Sequence, residues 1–134
     1  MRGLDTNILL RAILEDDPEQ SPIAARILTE AQERGERLHV SVTVLCELLW
    51  TLRGRPYRFD RAALADLLDS LLTDELFEIQ DRDLVVGALN DFRQGRADFA
   101  DYLIGWQDRK AGCLETLTFD RKMRDQEGFL VLSL

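Results

Sequence analysis

Histidine occurs once, cysteine twice and proline three times in these 134 residues. The single histidine, His39, leaves no pair for an imidazole metal cage and falls in a strand pattern, where it reads as structural. The cysteines, Cys46 and Cys113, stand far apart, which argues against a disulfide scaffold or a zinc ribbon. Cys46 lies in an apolar run with nothing nearby to lower its pKa, so it reads as a core residue and not a nucleophile. No apolar stretch approaches the ~18–20 residues of a membrane span. No charged-then-apolar signal segment opens the chain, and a cytosolic protein is expected. Basic charge is also short: 17 Lys and Arg face 25 Asp and Glu, a net charge of −8. A protein that holds nucleic acid by bulk charge neutralisation is normally basic. Acids that bind divalent cations remain open, because the ion reverses the local field.

What is present is an ordinary globular composition, 46% apolar and 31% charged. A chain of this length buries roughly 65–70% of the surface it exposes unfolded, and a single domain over residues 1–134 is expected. Residues 2–5 form a strand pattern ending in Asp5, followed by a helical stretch through Ile13. Ser21-Pro22 reads as the cap of a second helix, with Ile23, Ile27 and Leu28 as its stripe. Leu38–Ser41 is a short strand, and Val44, Leu45, Leu48, Leu49 and Leu52 then recur at helical spacing. Asp60 caps a helix carrying Leu64 to Leu72, and Leu76–Ile79 alternates as a strand. Asp81 caps a helix through Phe92. Another runs from Phe99 to Lys110, with Leu103, Ile104 and Trp106 inward. Glu115–Phe119 and Phe129–Leu132 are the last strands. Strands separated by helices predict an α/β fold: a central parallel sheet of four to five short strands with helices on both faces.

In open α/β sheets, ligands gather at the carboxyl ends of the strands. Asp5 and Asp120 each follow a strand there. Glu47 lies on the helix leaving the Leu38–Ser41 strand, and Asp98 and Asp101 flank the start of the Phe99–Lys110 helix at i,i+3 spacing. Each acid has a structural alternative. Asp5 and Asp98 suit helix caps, Glu47 a polar stripe, and Asp120 a turn. Together they can deliver carboxylates from four distant segments to one rim. Magnesium and manganese want such oxygen ligands, and a pair of ions can clamp an in-line displacement at phosphorus. Thr6, Asn7, Ser41 and Thr118 are placed to orient ligands or waters. Arg53, Arg55 and Arg58, with Tyr57 as a ring able to stack, form one basic cluster. Arg93, Arg96, Arg121, Lys122 and Arg124 form a second.

Leu4-Asp5-Thr6-Asn7, the Glu47 within an apolar helix, Ala97-Asp98-Phe99-Ala100-Asp101-Tyr102-Leu103-Ile104 and Thr118-Phe119-Asp120-Arg121-Lys122 together resemble PIN-domain proteins. More narrowly they are similar to VapC-type toxins of toxin–antitoxin pairs. Asp-Thr-Asn alone is common; the four motifs in series, over essentially the whole chain, are specific. The resemblance implies a Mg2+-dependent endoribonuclease, with Mn2+ as a substitute. It implies Asp5, Glu47, Asp101 and Asp120 as an acidic quartet, with Asp98 beside it. It also implies an RNA substrate and a small VapB-type antitoxin. Tyr102, Gly105 and Trp106 depart from the family pattern and put the local helix packing in question.

Other classes fit less well. A response-regulator receiver wants adjacent acids after its first strand, and a haloacid-dehalogenase phosphatase wants Asp-x-Asp where this chain has Asp5-Thr6-Asn7. A PIN fold serving only as a binding module is the remaining alternative. The leucines of Leu48-Leu49-Trp50 and of Leu64 to Leu72 exceed what one small core requires, and predict a homodimer or an antitoxin-binding face.

Overall fold

The computed structural model describes residues Met1–Leu134. It contains five strands and six α-helices in alternation. The α/β class is as expected, and all strand pairing is parallel, in ladders of three and two. The chain divides into two compact units, Met1–Asp81 and Arg82–Leu134.

The first unit is built as strand, two helices, strand, two helices, strand. β1 (Arg2–Gly3), β2 (Leu38–Val40) and β3 (Phe77–Ile79) lie in that order in the ladder. Between them run α1 (Thr6–Leu14), α2 (Gln20–Glu33), α3 (Val42–Arg53) and α4 (Arg61–Thr73). β2 is central, and Leu38 and Val40 are fully buried. Arg37 secures the strand's entrance, donating to the carbonyl oxygens of Glu75 and Phe77 at 3.1 and 3.0 Å and pairing with Glu78.

The helix starts show which caps the chain uses. Ser41 Oγ accepts from Val44 N–H at 3.2 Å and Asp60 Oδ1 from Ala63 N–H at 2.8 Å, so both are N-caps. α2 differs from the sequence pattern. It begins at Gln20, and Asp17 accepts from the N–H groups of Glu19 and Gln20. These bonds hold the Asp17 carboxyl below its ordinary value. Its buried stripe is Ser21, Ala24 and Ala31, while Ile23 points outward. Small side chains serve there because α2 packs on α1. The leucines of α3 and α4 are also corrected. Leu48, Leu49, Leu64, Leu68, Leu71 and Leu72 are all buried in the core, and only Trp50 of that group is exposed. The α3–α4 contact absorbs the apolar surface that the pattern assigned to a partner.

The second unit comprises α5 (Arg82–Gln94), α6 (Phe99–Lys110), β4 (Thr116–Thr118), a 3₁₀ turn (Arg121–Met123) and β5 (Phe129–Val131). α5 and α6 pack closely, and here the atypical residues find their purpose. Tyr102 is fully buried, and Ala97 N–H donates to its hydroxyl at 3.2 Å. A methyl group on Gly95 would lie 1.7 Å from that hydroxyl oxygen. Trp106 occupies the notch left by Gly87, donates Nε1–H to Asp91 at 2.8 Å and carries the Arg109 guanidinium 4.7 Å above its ring. Gly105 makes the same room for Phe129. Large rings facing glycines are therefore a matched set. The inward stripe of α6 is Phe99, Tyr102 and Leu103, with Ile104 exposed, not inward as its spacing suggested.

Because the Tyr102 ring is enclosed, Gly95→Ala must displace it or the backbone. Overpacking of this kind costs about 1–3 kcal/mol. Thermal denaturation should show a Tm several degrees below the parent for Gly95→Ala, against almost no change for Ala111→Ser at an exposed position. Equal Tm values would mean that the ring relaxes freely.

Candidate active site

The carboxyl edge of the first unit's ladder gathers Asp5 after β1, Ser41 after β2 and Gln80 after β3. Asp5 occupies the N-cap position of α1 with extended backbone, yet its side chain makes no cap hydrogen bond. An exposed aspartate at a helix N-terminus that leaves the N–H groups alone is available to a ligand. Thr6 follows, buried, and its Oγ1 donates to Glu47 Oε1 at 3.2 Å. The side of α3 bearing Glu47 is solvent-facing, as the polar-stripe alternative held, and the threonine fixes which way the carboxylate points. Ser41 is engaged as the cap of α3, and Asn7 is exposed. Gln80 was not singled out from the sequence. Its Oε1 accepts from Val42 N–H at 3.0 Å, tying the ends of β2 and β3 together. The available signal was its place directly after a strand, the same criterion that selected Asp5.

The second unit holds the other acids. Asp98 sits at the N-cap position of α6, and Asp101 Oδ2 reaches back to accept from Asp98 N–H at 3.1 Å. This is one half of a capping box. Asp120 follows β4. Its N–H donates to Thr118 Oγ1 at 3.0 Å, and its Oδ1 accepts from Lys122 N–H at 2.9 Å. Thr118 thus holds the backbone of the Asp120 turn. Burial pushes the Asp101 carboxyl above the ordinary aspartate value. The Asp98 N–H opposes the rise, the charges of Asp98 and Asp120 add to it, and Lys122 again opposes it. Three like charges therefore act on one another in this unit, with a single lysine in range of Asp101.

Other acids are engaged in structure. Asp91 accepts from Trp106, and Asp108 accepts from Thr116 Oγ1 at 2.7 Å. In neither unit do three acidic, cysteine or histidine side chains stand as a ready metal cage. Asp101 and Asp120 each accept a backbone N–H, from Asp98 and Lys122. In each unit the candidate donors are all oxygen: carboxylates, with the Thr6 hydroxyl behind Glu47 in the first. That chemistry fits Mg2+ or Mn2+ and disfavours softer ions. His39 is half-buried in β2, and burial raises the Cys46 thiol, so neither offers an alternative catalyst. Of the arginines, Arg53, Arg55 and Arg58 are exposed, as are Arg93, Arg96, Arg121, Lys122 and Arg124.

An α/β chain with parallel ladders and carboxylates at strand and helix ends belongs to a definable class. The chain belongs to the PIN domain family, which matches residues 4–128. It is 27% identical over 124 residues to the VapC ribonuclease of Aquifex aeolicus (strain VF5), covering 92% of this chain and 90% of that protein. No helix is long and apolar enough to cross a membrane.

Since Asp101 holds its proton more tightly folded than unfolded, this group favours the fold at acid pH. That advantage disappears as pH rises through the raised value. Asp101→Asn removes the desolvated charge and keeps an oxygen for the Asp98 N–H. In chelator at neutral pH its Tm should equal or exceed the parent's, with the difference shrinking toward about pH 4, near the ordinary aspartate value. A lower Tm at neutral pH would mark the carboxylate as a stabilising group.

Proposed function

We propose that this chain is a divalent-cation-dependent endoribonuclease of the VapC type. The carrying observation is the half-buried Asp101, its carboxyl raised by desolvation and by the neighbouring charges of Asp98 and Asp120. Like-charged groups held together against electrostatics mark functional sites, and family membership gives the class of chemistry. Asp5, Glu47, Asp101 and Asp120 would hold Mg2+ or Mn2+, with Asp98 beside them. When bound, the ion supplies positive charge that acidifies water and offsets the charge developing on the phosphodiester.

The chain's own residues do the rest. Thr6 keeps one Glu47 oxygen turned in a fixed direction, and Thr118 holds the Asp120 turn. Lys122 and Arg121, directly after Asp120, meet the phosphate backbone that the acids would otherwise repel. With a net charge of −8 the chain holds RNA only where arginines cluster, which favours selective cutting over general binding. Neutralisation by a VapB-type antitoxin, a homodimer and a cytoplasmic location belong to the same reading. The apolar positions open to such partners include Leu117 and Leu130 on the β4–β5 ribbon and Phe119 just after β4, since most of the α3 and α4 leucines are buried.

Cleavage of single-stranded RNA should require added Mg2+ or Mn2+ and stop in EDTA. Asp5→Ala, Glu47→Gln and Asp101→Asn should each lower the rate on the order of 10²–10³-fold with the circular dichroism spectrum retained. Thr6→Val, which removes only the orienting hydroxyl, should cost about tenfold. Metal-independent cleavage, or full activity in Asp101→Asn, would refute the assignment. RNA binding with no cleavage under any metal would favour the binding-module alternative.

A further inference from the structure

Trp50 is the anomaly of α3. The helix buries Leu45, Leu48, Leu49 and Leu52 along one stripe, which leaves position 50 on the opposite side, 75% exposed. It borders a groove of about 350 Å³ lined by Trp50, Thr51, Arg53 and Gly54. The chain continues as Arg53-Gly54-Arg55-Pro56-Tyr57-Arg58, three arginines in six residues of a strongly acidic protein. Tyr57, the stacking ring suggested by the sequence, is half-buried and interacts with the Arg11 guanidinium. Trp50 is therefore the aromatic ring open to solvent beside these arginines.

We propose that Trp50, with Arg53, Arg55 and Arg58, forms a stacking site for an unpaired base of single-stranded RNA. The proposal rests on the ribonuclease reading and extends it to substrate recognition. An exposed indole stacks on any base face, and guanidinium groups meet the adjoining phosphates. A duplex hides its base faces, so the site selects single strands. Position 50 lies three residues beyond Glu47 on the helix, a rise of about 4.5 Å, and i,i+3 side chains are surface neighbours. A base held on Trp50 thus sits next to the carboxylate assigned to the reaction. Charge complementarity argues for this occupant, and so does the lining. The groove is lined by one indole, one threonine, one arginine and one glycine, with no leucine, isoleucine or valine, whereas a docked protein helix needs a contiguous patch of such side chains.

The test uses the full-length chain and a short single-stranded RNA oligonucleotide, with its duplex as control. In the Asp101→Asn background, which permits binding without turnover, single-stranded RNA should quench tryptophan fluorescence and the duplex should not. Trp50→Ala should weaken binding about tenfold. Trp50→Phe should keep most of the affinity while abolishing the quench, since Trp106 lies elsewhere. In the active protein, Trp50→Ala should raise KM and leave kcat nearly unchanged, and Arg53→Ala and Arg58→Ala should each reduce the salt dependence of binding. An active parent whose Trp50→Ala variant binds and cuts RNA equally well overturns this proposal alone. So does a Trp50→Ala variant altered only in sedimentation or in affinity for a protein partner. A parent that neither binds nor cuts RNA overturns the ribonuclease reading along with it.

Discussion

Carboxylates of like charge repel, and a fold that holds several together must offset the repulsion locally. In this protein the constraint is most visible at Asp101. Its carboxyl is partly desolvated, feels Asp98 and Asp120, and is relieved only by one backbone N–H and Lys122. Burying charge in such company lowers stability. In the function proposed above the compensation would come from a hard divalent cation, which takes oxygen ligands. The capping-box geometry of α6 makes the arrangement tolerable, as the N–H groups of a helix start favour negative charge.

The same economy governs the first unit. Asp5 stands at the head of α1 without serving as its cap, and Glu47 is steered by Thr6 although the helix around it is apolar. These side chains contribute little to holding the fold. Stability comes from the leucines of α3 and α4, the buried centre of β2 and the fitted pairs of ring and glycine between α5 and α6. In this unit scaffold and site are thus chemically separate, and Asp5 and Glu47 can be exchanged with modest effect on folding.

Much of the scaffold was legible from local chemistry. Asp60 as a cap and the bounds of α6 follow from short-range capping and periodicity, which act over one or two helical turns. The start of α2 differs from the sequence pattern because Asp17 and Ser21 are both good caps, and the choice between them depends on where the chain enters the helix. The surplus of leucines was read as a partner surface because periodicity gives the width of an apolar stripe and says nothing of what lies opposite. Ile23 and Ile104 were placed inward for the same reason. Glycine-for-ring complementarity, as between Gly95 and Tyr102, joins residues on different elements and leaves no local mark.

By itself, then, the order of residues determined the alternation of strand and helix, the acids at strand ends and helix starts, and the family to which the chain belongs. Those properties depend on backbone propensity and on motif spacing, which are written along the chain. Tertiary structure alone decided that the α3 and α4 leucines are core, that Asp101 is the desolvated member of its group, that Thr6 directs Glu47, and that Trp50 and not Tyr57 faces water. Each of these depends on which surfaces cover one another, and burial and electrostatic neighbourhood exist only once distant segments have packed.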